Sequence, residues 1–286
     1  MSRGPVRTPA DADAAFAAGQ RVVEVHRRLV DFVRVGHTLA EVDAFVASTL
    51  ADLGCRSCFL HYRPSFSLPP FPSHACLSVN DCVVHGTAAS LPRPLEPGDL
   101  LKIDIGVVYK GWIGDAAWTY SMGEPTAEVR KLMDAGKKGL RLGIEQLRPG
   151  NTYFDWADAL QTHVEEDCGF HLIEGLGGHG IGRNTKRDPG LHLPPFVPNT
   201  RPRGYSPRPN HRASNPLDVI CEAGTLVAVE PMIAIGTGAT HSPNGPWPIH
   251  SRDGSLAVHH EHDVLITESG PRVMTEGLDD LPDVLG

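Results

Sequence analysis

The stretch from Leu100 to Ser121 constrains the fold most, because it sets two carboxylates inside apolar strand-forming runs. The runs Leu100 to Val108 and Trp112 to Tyr120 flank Tyr109-Lys110-Gly111, which predicts a tight antiparallel turn near Lys110-Gly111. With a two-residue turn Asp104 faces Ala117, and Asp115 is its diagonal neighbour on the same face of the sheet. Two anions this close in an apolar strand pair need a cation, a shared proton or solvent between them. A hairpin whose acidic face is simply wet is the competing reading.

With 286 residues, 41% of them hydrophobic, the chain can bury a full core as one compact unit. A net charge of -8 argues against nonspecific binding to nucleic acid or to an anionic membrane, although a local basic stretch runs from Arg201 to Arg212. No run of apolar residues is long enough to span a bilayer, and the first residues lack the apolar centre of a signal peptide. A cytosolic protein is expected. The six cysteines are scattered and read as reduced thiols. Cys55 and Cys58 form a Cys-x-x-Cys, but no second ligand pair or strand-helix context accompanies it, so packing is its expected role.

Ala10 to Val35 carries Phe16, Val23, Leu29, Val30 and Val33 among polar residues, a helical period that stops near Gly36. Thr38 to Glu41 has the form of a capping box for a second helix, with Val42, Phe45, Val46 and Leu50 inward and Gly54 at its end. Residues 55–75 have the composition of a pocket-lining loop. Ala75 to Asn80 reads as a strand and leads to His85-Gly86, where an ordinary loop histidine is the usual reading. Thr126 to Leu147 predicts a helix with Val129, Leu132, Met133 and Leu140 inward, and Thr152 to Asp155 caps another that ends at Gly169. The formal Gly-x-Gly-x-x-Gly from Gly175 to Gly180 opens no helix, so a dinucleotide site is rejected. What remains is His179 framed by glycines, which permit close approach to the imidazole.

Residues 183–218 are proline-rich and basic without periodicity, and read as a long irregular surface excursion, a lid or a tolerated insertion. Thr225 to Ile235 reads as one buried strand with Glu230 in its middle. Ser255 to Thr267 reads as another, whose His259, His260 and His262 suggest a histidine metal cluster, but alternation sets His260 and His262 on the face opposite Glu261, so at most some of the three join it. Asp104, Asp115, Glu230 and Glu261 thus each lie in an apolar strand, with His179 between them in the chain. Such a set demands positive charge in the core, and no matching set of buried lysine or arginine occurs in those strands. Metal is the economical source. Oxygen donors with one nitrogen suit borderline first-row dications, and four carboxylates exceed what one such ion accepts, so two ions sharing carboxylates balance the charge.

The words SVND-x-VVHG, KIDIG with the later Asp115, GGHGIG, VEPM and SLAVHHEH, in that order, resemble the bacterial-type (type I) methionine aminopeptidases of the pita-bread metallopeptidase family M24. The resemblance runs from the first helix to about Val273. It implies an α+β pita-bread fold: an antiparallel sheet with pseudo-twofold halves and two helix pairs on its outer face. It implies a single catalytic domain over 10–275 between tails at 1–9 and 276–286, with insertions at about 59–70, 183–191 and 202–216.

The same resemblance implies an enzyme that removes the N-terminal methionine of peptides and nascent proteins by attack of a dimetal-bound hydroxide. Asp104, Asp115, His179, Glu230 and Glu261 would hold two divalent ions of manganese, iron, cobalt or zinc, with Asp115 and Glu261 bridging. Glu230 would shuttle the proton to the leaving amine, His192 would stabilise the oxyanion and His85 would help hold the substrate backbone. Cys58, Phe71, Cys76, Met232 and Trp247 would wall the pocket for the first side chain, and packing alone also explains each of them. Leu193 stands where the family carries an acidic residue, and His260 where an aromatic precedes the last glutamate. With the altered loops, these departures fit a changed substrate range, a specialised peptide or weak activity. An X-Pro dipeptidase-like enzyme and a non-catalytic binding protein of the same fold are the competing functions. The implied setting is a cytoplasmic monomer acting on peptide and nascent-chain N-termini, with ribosome contact optional and neither nucleic acid nor membrane required.

Overall fold

The computed structural model describes residues 4–186, 189–205 and 218–286. The expected insertion at 202–216 and the basic stretch to Arg212 therefore lie outside the described residues beyond position 205, as does 187–188 of the insertion at 183–191.

Four α-helices occur among the described residues: α1 (Pro9–Phe32), α2 (Leu39–Asp52), α3 (Ala127–Ile144) and α4 (Tyr153–Gln161), the last continued by a π-helical turn over Thr162–Asp167. Their starts are set by side chains that satisfy orphan backbone donors. Thr8 with Asp11, Thr38 with Glu41 and Thr152 with Asp155 form capping boxes, and the Thr126 hydroxyl accepts from the Val129 amide. α1 lies across the long hairpin so closely that a Cβ on Gly114 would sit 2.6 Å from the Ala18 carbonyl oxygen. At that contact the buried His26 ring meets the Tyr120 hydroxyl at 2.9 Å and the Ala116 carbonyl at 3.3 Å.

The hairpin strands Leu100–Tyr109 and Trp112–Met122 centre one five-stranded sheet, flanked by Cys76–Val79, Arg56–Ser57 and Val284–Leu285. A second five-stranded sheet runs, in spatial order, Gly270–Val273, His262–Thr267, Leu226–Val229, Gly177–Gly180 and Leu193–Pro198. A three-stranded sheet places Met232–Ala234 between Ala257–His259 and His171–Leu172. Helices and mostly antiparallel sheets are thus segregated as an α+β fold.

Three strand expectations need correction. Thr225 to Ile235 is two strands, Leu226–Val229 and Met232–Ala234, because Pro231 has no N–H to continue a ladder. Ser255 to Thr267 breaks likewise into Ala257–His259 and His262–Thr267. Within 183–218, Leu193–Pro198 is an edge strand rather than irregular chain. Its prolines at 194, 195 and 198 are tolerated there because an edge strand needs only one row of hydrogen bonds. One lysine, Lys102, is also buried in the hairpin, but its ammonium donates to the Asn80 carbonyl at 2.6 Å.

Candidate active site

The hairpin turns through Lys110 and Gly111, whose positive φ values of 48° and 81° suit a two-residue loop matched to strand twist. Its register pairs Asp104 with Ala117 and Asp115 with Gly106, so both carboxylates project from one face as diagonal neighbours. That face meets the two strand breaks. Val229 pairs with His262 and Met232 with His259, so Glu230-Pro231 and His260-Glu261 stand opposite each other between two sheets. Released from its ladder, Glu261 donates its amide to the Ala117 carbonyl at 2.9 Å, which ties it to the position facing Asp104.

His179 enters from the glycine strand. A Cβ on Gly178 would lie 2.2 Å from the Ala228 carbonyl oxygen, and one on Gly180 would lie 2.3 Å from that of Pro194. The bare glycines therefore admit the neighbouring strands, and they fix the imidazole between them. His179 Nε2 lies 3.5 Å from Glu230 Oε1. The His192 ring lies 4.1 Å from that of His179, and its Nδ1 is 2.8 Å from the Tyr62 hydroxyl. His85 and His192 have φ values of 57° and 54°, a left-handed backbone that bulky residues seldom adopt and that concentrates at functional sites.

Burial dominates the electrostatics. It pushes the Asp104 carboxyl up to about 7, further raised by Glu230 nearby and opposed by His259, and it pushes Glu230 up to about 8. Asp115 is held well above the ordinary carboxylate range by burial first and then by Asp104, Asp263 and Glu230, and Glu261 by burial first and then by Asp115, Glu230, Asp104 and Asp263. Burial equally depresses His179 to about 3, and His85, His192 and His259 to about 4. Left alone, such a cluster resists charge of either sign.

A metal cation fits this chemistry. One oxygen of Asp104 and one of Asp115 are buried with no hydrogen-bond partner among the described residues, as is Nε2 of His259. Asp115, His179 and Glu261 each offer a ligand atom, and the three atoms lie within 4.8 Å of one another. Carboxylates and a neutral imidazole are the donors that borderline first-row dications accept. Asp104 and Glu230 line the same cavity beside this trio.

The cavity has a volume of about 270 Å³. Among the expected wall residues, Phe71, Cys76 and Trp247 line it, together with His85 and His192. Trp247 meets Phe71 edge-on at 5.2 Å. Cys58 and Met232 do not line it. Cys58 packs against Gly106, and Met232 lines an adjoining hollow that opens beyond Glu230. Phe59, Tyr62 and Pro64 join the wall from the loop whose composition suggested a pocket lining, although that composition singled out none of the three. Two further residues belong to the site beyond those to which the resemblance gives a role. His259 points Nε2 at Glu230 and Glu261, at 3.5 and 3.9 Å. Asp263, also buried, accepts from the Asp115 amide at 2.8 Å. His260 and His262 lie on the opposite side against Trp118, as alternation requires. The six cysteines are free thiols. Among the described residues no helix is long and apolar enough to cross a membrane.

Comparison with known proteins places this geometry. The profile of "Metallopeptidase family M24" matches residues 14–268. A methionine aminopeptidase 1 of Mycobacterium tuberculosis is 34% identical over 96% of this chain and 95% of its own length. A crystal structure of methionine aminopeptidase from Thermotoga maritima superposes with a TM-score of 0.80 at 29% identity, covering 96% of this chain and 99% of that one. The prolidase of Pyrococcus furiosus shares the fold alone, with a TM-score of 0.69 at 19% identity over 65% of its chain. On the match along nearly its whole length, joined to a pita-bread arrangement of its strands and helices, the chain belongs to metallopeptidase family M24, in its methionine aminopeptidase branch.

Proposed function

We propose that this protein is a metal-dependent aminopeptidase that removes the N-terminal methionine from peptides and nascent proteins, with residues 10–275 as one catalytic domain. The observation that carries the reading is the set of buried, partnerless carboxylate oxygens beside His179 on the floor of an aromatic-walled cavity. Full-length relatives named methionine aminopeptidase support it over an X-Pro dipeptidase, whose fold is matched over about two thirds of the prolidase chain.

Asp104, Asp115, His179, Glu230 and Glu261 would hold two divalent ions, of manganese, iron, cobalt or zinc. When bound, such ions supply Lewis acidity for a carbonyl and acidify water near neutral pH. The residues do the rest. Phe59, Phe71 and Trp247 offer an apolar wall to the methionine side chain, and Cys76 closes it near Asp104. Asp104 attracts the cationic N-terminus. Glu230, at the junction of the sheets, takes the proton released by water and returns it to the leaving amine. The Tyr62 hydroxyl lies 2.8 Å from His192 Nδ1; taken as the donor there, it leaves the hydrogen on Nε2, which donates to the oxygen of the scissile carbonyl as negative charge develops. His85 holds the substrate backbone, and His259 orients Glu230.

The reading further takes the protein as a cytoplasmic monomer that meets nascent chains, at the ribosome among other places. The deciding assay is release of methionine from a Met-Ala-Ser peptide by purified protein loaded with manganese, iron, cobalt or zinc, beside an Ala-Pro dipeptide. Release from the first peptide only, abolished by a chelator and restored by metal, is expected. No release with any of the four metals would sink the proposal.

A further inference from the structure

A second hollow of about 440 Å³ adjoins the candidate active site. The two share His85, His179, His192 and Glu230, so they join where the scissile bond would lie. The hollow contains none of the aromatic wall formed by Phe59, Phe71 and Trp247. If the first residue fills that wall, the peptide beyond the cleaved bond has this adjoining space before it. Its lining outside the shared residues is apolar, with Leu176, Leu193, Pro194, Phe196 and Met232.

Phe196 is the feature that needs an explanation. It is 58% exposed, one of few large apolar side chains so placed among the described residues. Its ring lies over Gly177, where a Cβ would come within 2.9 Å of it. The strand that carries it is held in register, Phe196 against His179 and Val197 against Gly178. The same edge strand carries three prolines, at 194, 195 and 198, which lack N–H donors. Its outer edge is therefore poor at adding a peptide strand, and recognition there falls to side chains. An extended peptide advances about 3.3–3.6 Å per residue; with its first residue at the aromatic wall and its second beside the shared histidines, the third is the one assigned to Phe196.

We infer that this hollow receives the leaving part of the substrate and selects an apolar side chain at its third residue, with Phe196 and Leu193 as the specificity-determining residues. The inference rests on the aminopeptidase reading and adds a substrate class to it. Covering an exposed apolar surface with one leucine side chain predicts a preference of roughly tenfold in kcat/KM.

The experiment compares kcat/KM for Met-Ala-Leu-Ser, Met-Ala-Asp-Ser and Met-Ala-Lys-Ser with the metal-loaded parent, Phe196→Ser and Leu193→Asp. The parent is expected to favour the leucine peptide about tenfold over both charged ones, mainly through KM. Phe196→Ser should bring that ratio towards one, and Leu193→Asp should move the preference to the lysine peptide. A ratio near one in the parent, or an unchanged ratio in both variants, overturns the inference while leaving the aminopeptidase reading intact. Failure to release methionine from all three peptides defeats that reading and this one together.

Discussion

At the scale of single residues, His259 best separates what its neighbours do from what it does. Its backbone is clamped by Thr119, whose hydroxyl donates to the His259 carbonyl at 2.7 Å and accepts from its amide at 3.0 Å. The ring is thereby aimed between Glu230 and Glu261, and it is only 2% exposed. Residues that orient metal-binding carboxylates typically contribute about 10–100-fold in metal affinity or activity. His259→Ala is therefore expected to lose metal on dialysis and to fall in kcat by that order, with His259→Gln recovering most of both. Elemental analysis and kinetics check it, and an alanine variant equal to the parent in both would remove the role. Glu230→Gln should cost more, on the order of 10²–10⁴ in kcat, because it deletes the proton carrier itself. His259 was within reach of the sequence. The alternation that sends His260 and His262 away from Glu261 keeps His259 on the side of Glu261, but three histidines within four positions obscured which one mattered.

At the scale of elements, the hairpin was legible because its information is local. Two apolar runs and a Lys-Gly turn set the register, and the register alone makes Asp104 and Asp115 neighbours. The helices were legible for the same reason, from their capping residues and apolar periods. Glu230 and Glu261 were legible as carboxylates in apolar surroundings, but the strand breaks beside them were not, since those depend on how two sheets meet. Pro231 was the one local signal of the first break. Gly178 shows the same dependence on distant partners, because the carbonyl of Ala228 occupies the space of its missing Cβ. Gly178→Ala should destabilise the fold by about 1–3 kcal/mol as an overpacked core position, read as a lower urea midpoint with unchanged slope.

The contact of α1 with the hairpin makes a separate, pH-dependent prediction. Burial holds the His26 imidazole down at about 4, opposed by its bond to the Ala116 carbonyl. Its folded pKa lies below the unfolded one, so between those values the unfolded chain binds more protons. Stability from this group is full above about 6.5 and is lost as pH falls towards about 4. The full loss is of order 3 kcal/mol. Urea unfolding of the parent and of His26→Gln across this window should show a shallower acid decline in the variant. Parallel declines would mean that His26 is not the group responsible.

At the scale of the whole molecule, the candidate ligands come from the hairpin, the glycine strand and the two junctions between sheets, so the site exists only when all of them are packed together. Positions 104 and 261 are far apart in the chain, and the unfolded polymer has no such cluster. Any ion held there binds the folded state and spares the unfolded one. Its absence leaves buried carboxyls that burial has already pushed away from their charged form. Saturation at a hundredfold excess over Kd then stabilises the fold by about 2.7 kcal/mol, which in a chain of this size raises Tm by roughly 5–10 °C. Manganese or cobalt added to chelator-treated protein should produce this rise, growing with metal concentration. Glu261→Gln, which removes one carboxylate from the trio of Asp115, His179 and Glu261, should shrink it. The readout needs no substrate, so it separates metal binding from catalysis. A Tm that stays the same in chelator and in excess metal, in the parent protein, would show that the buried carboxylates are held by something other than a cation.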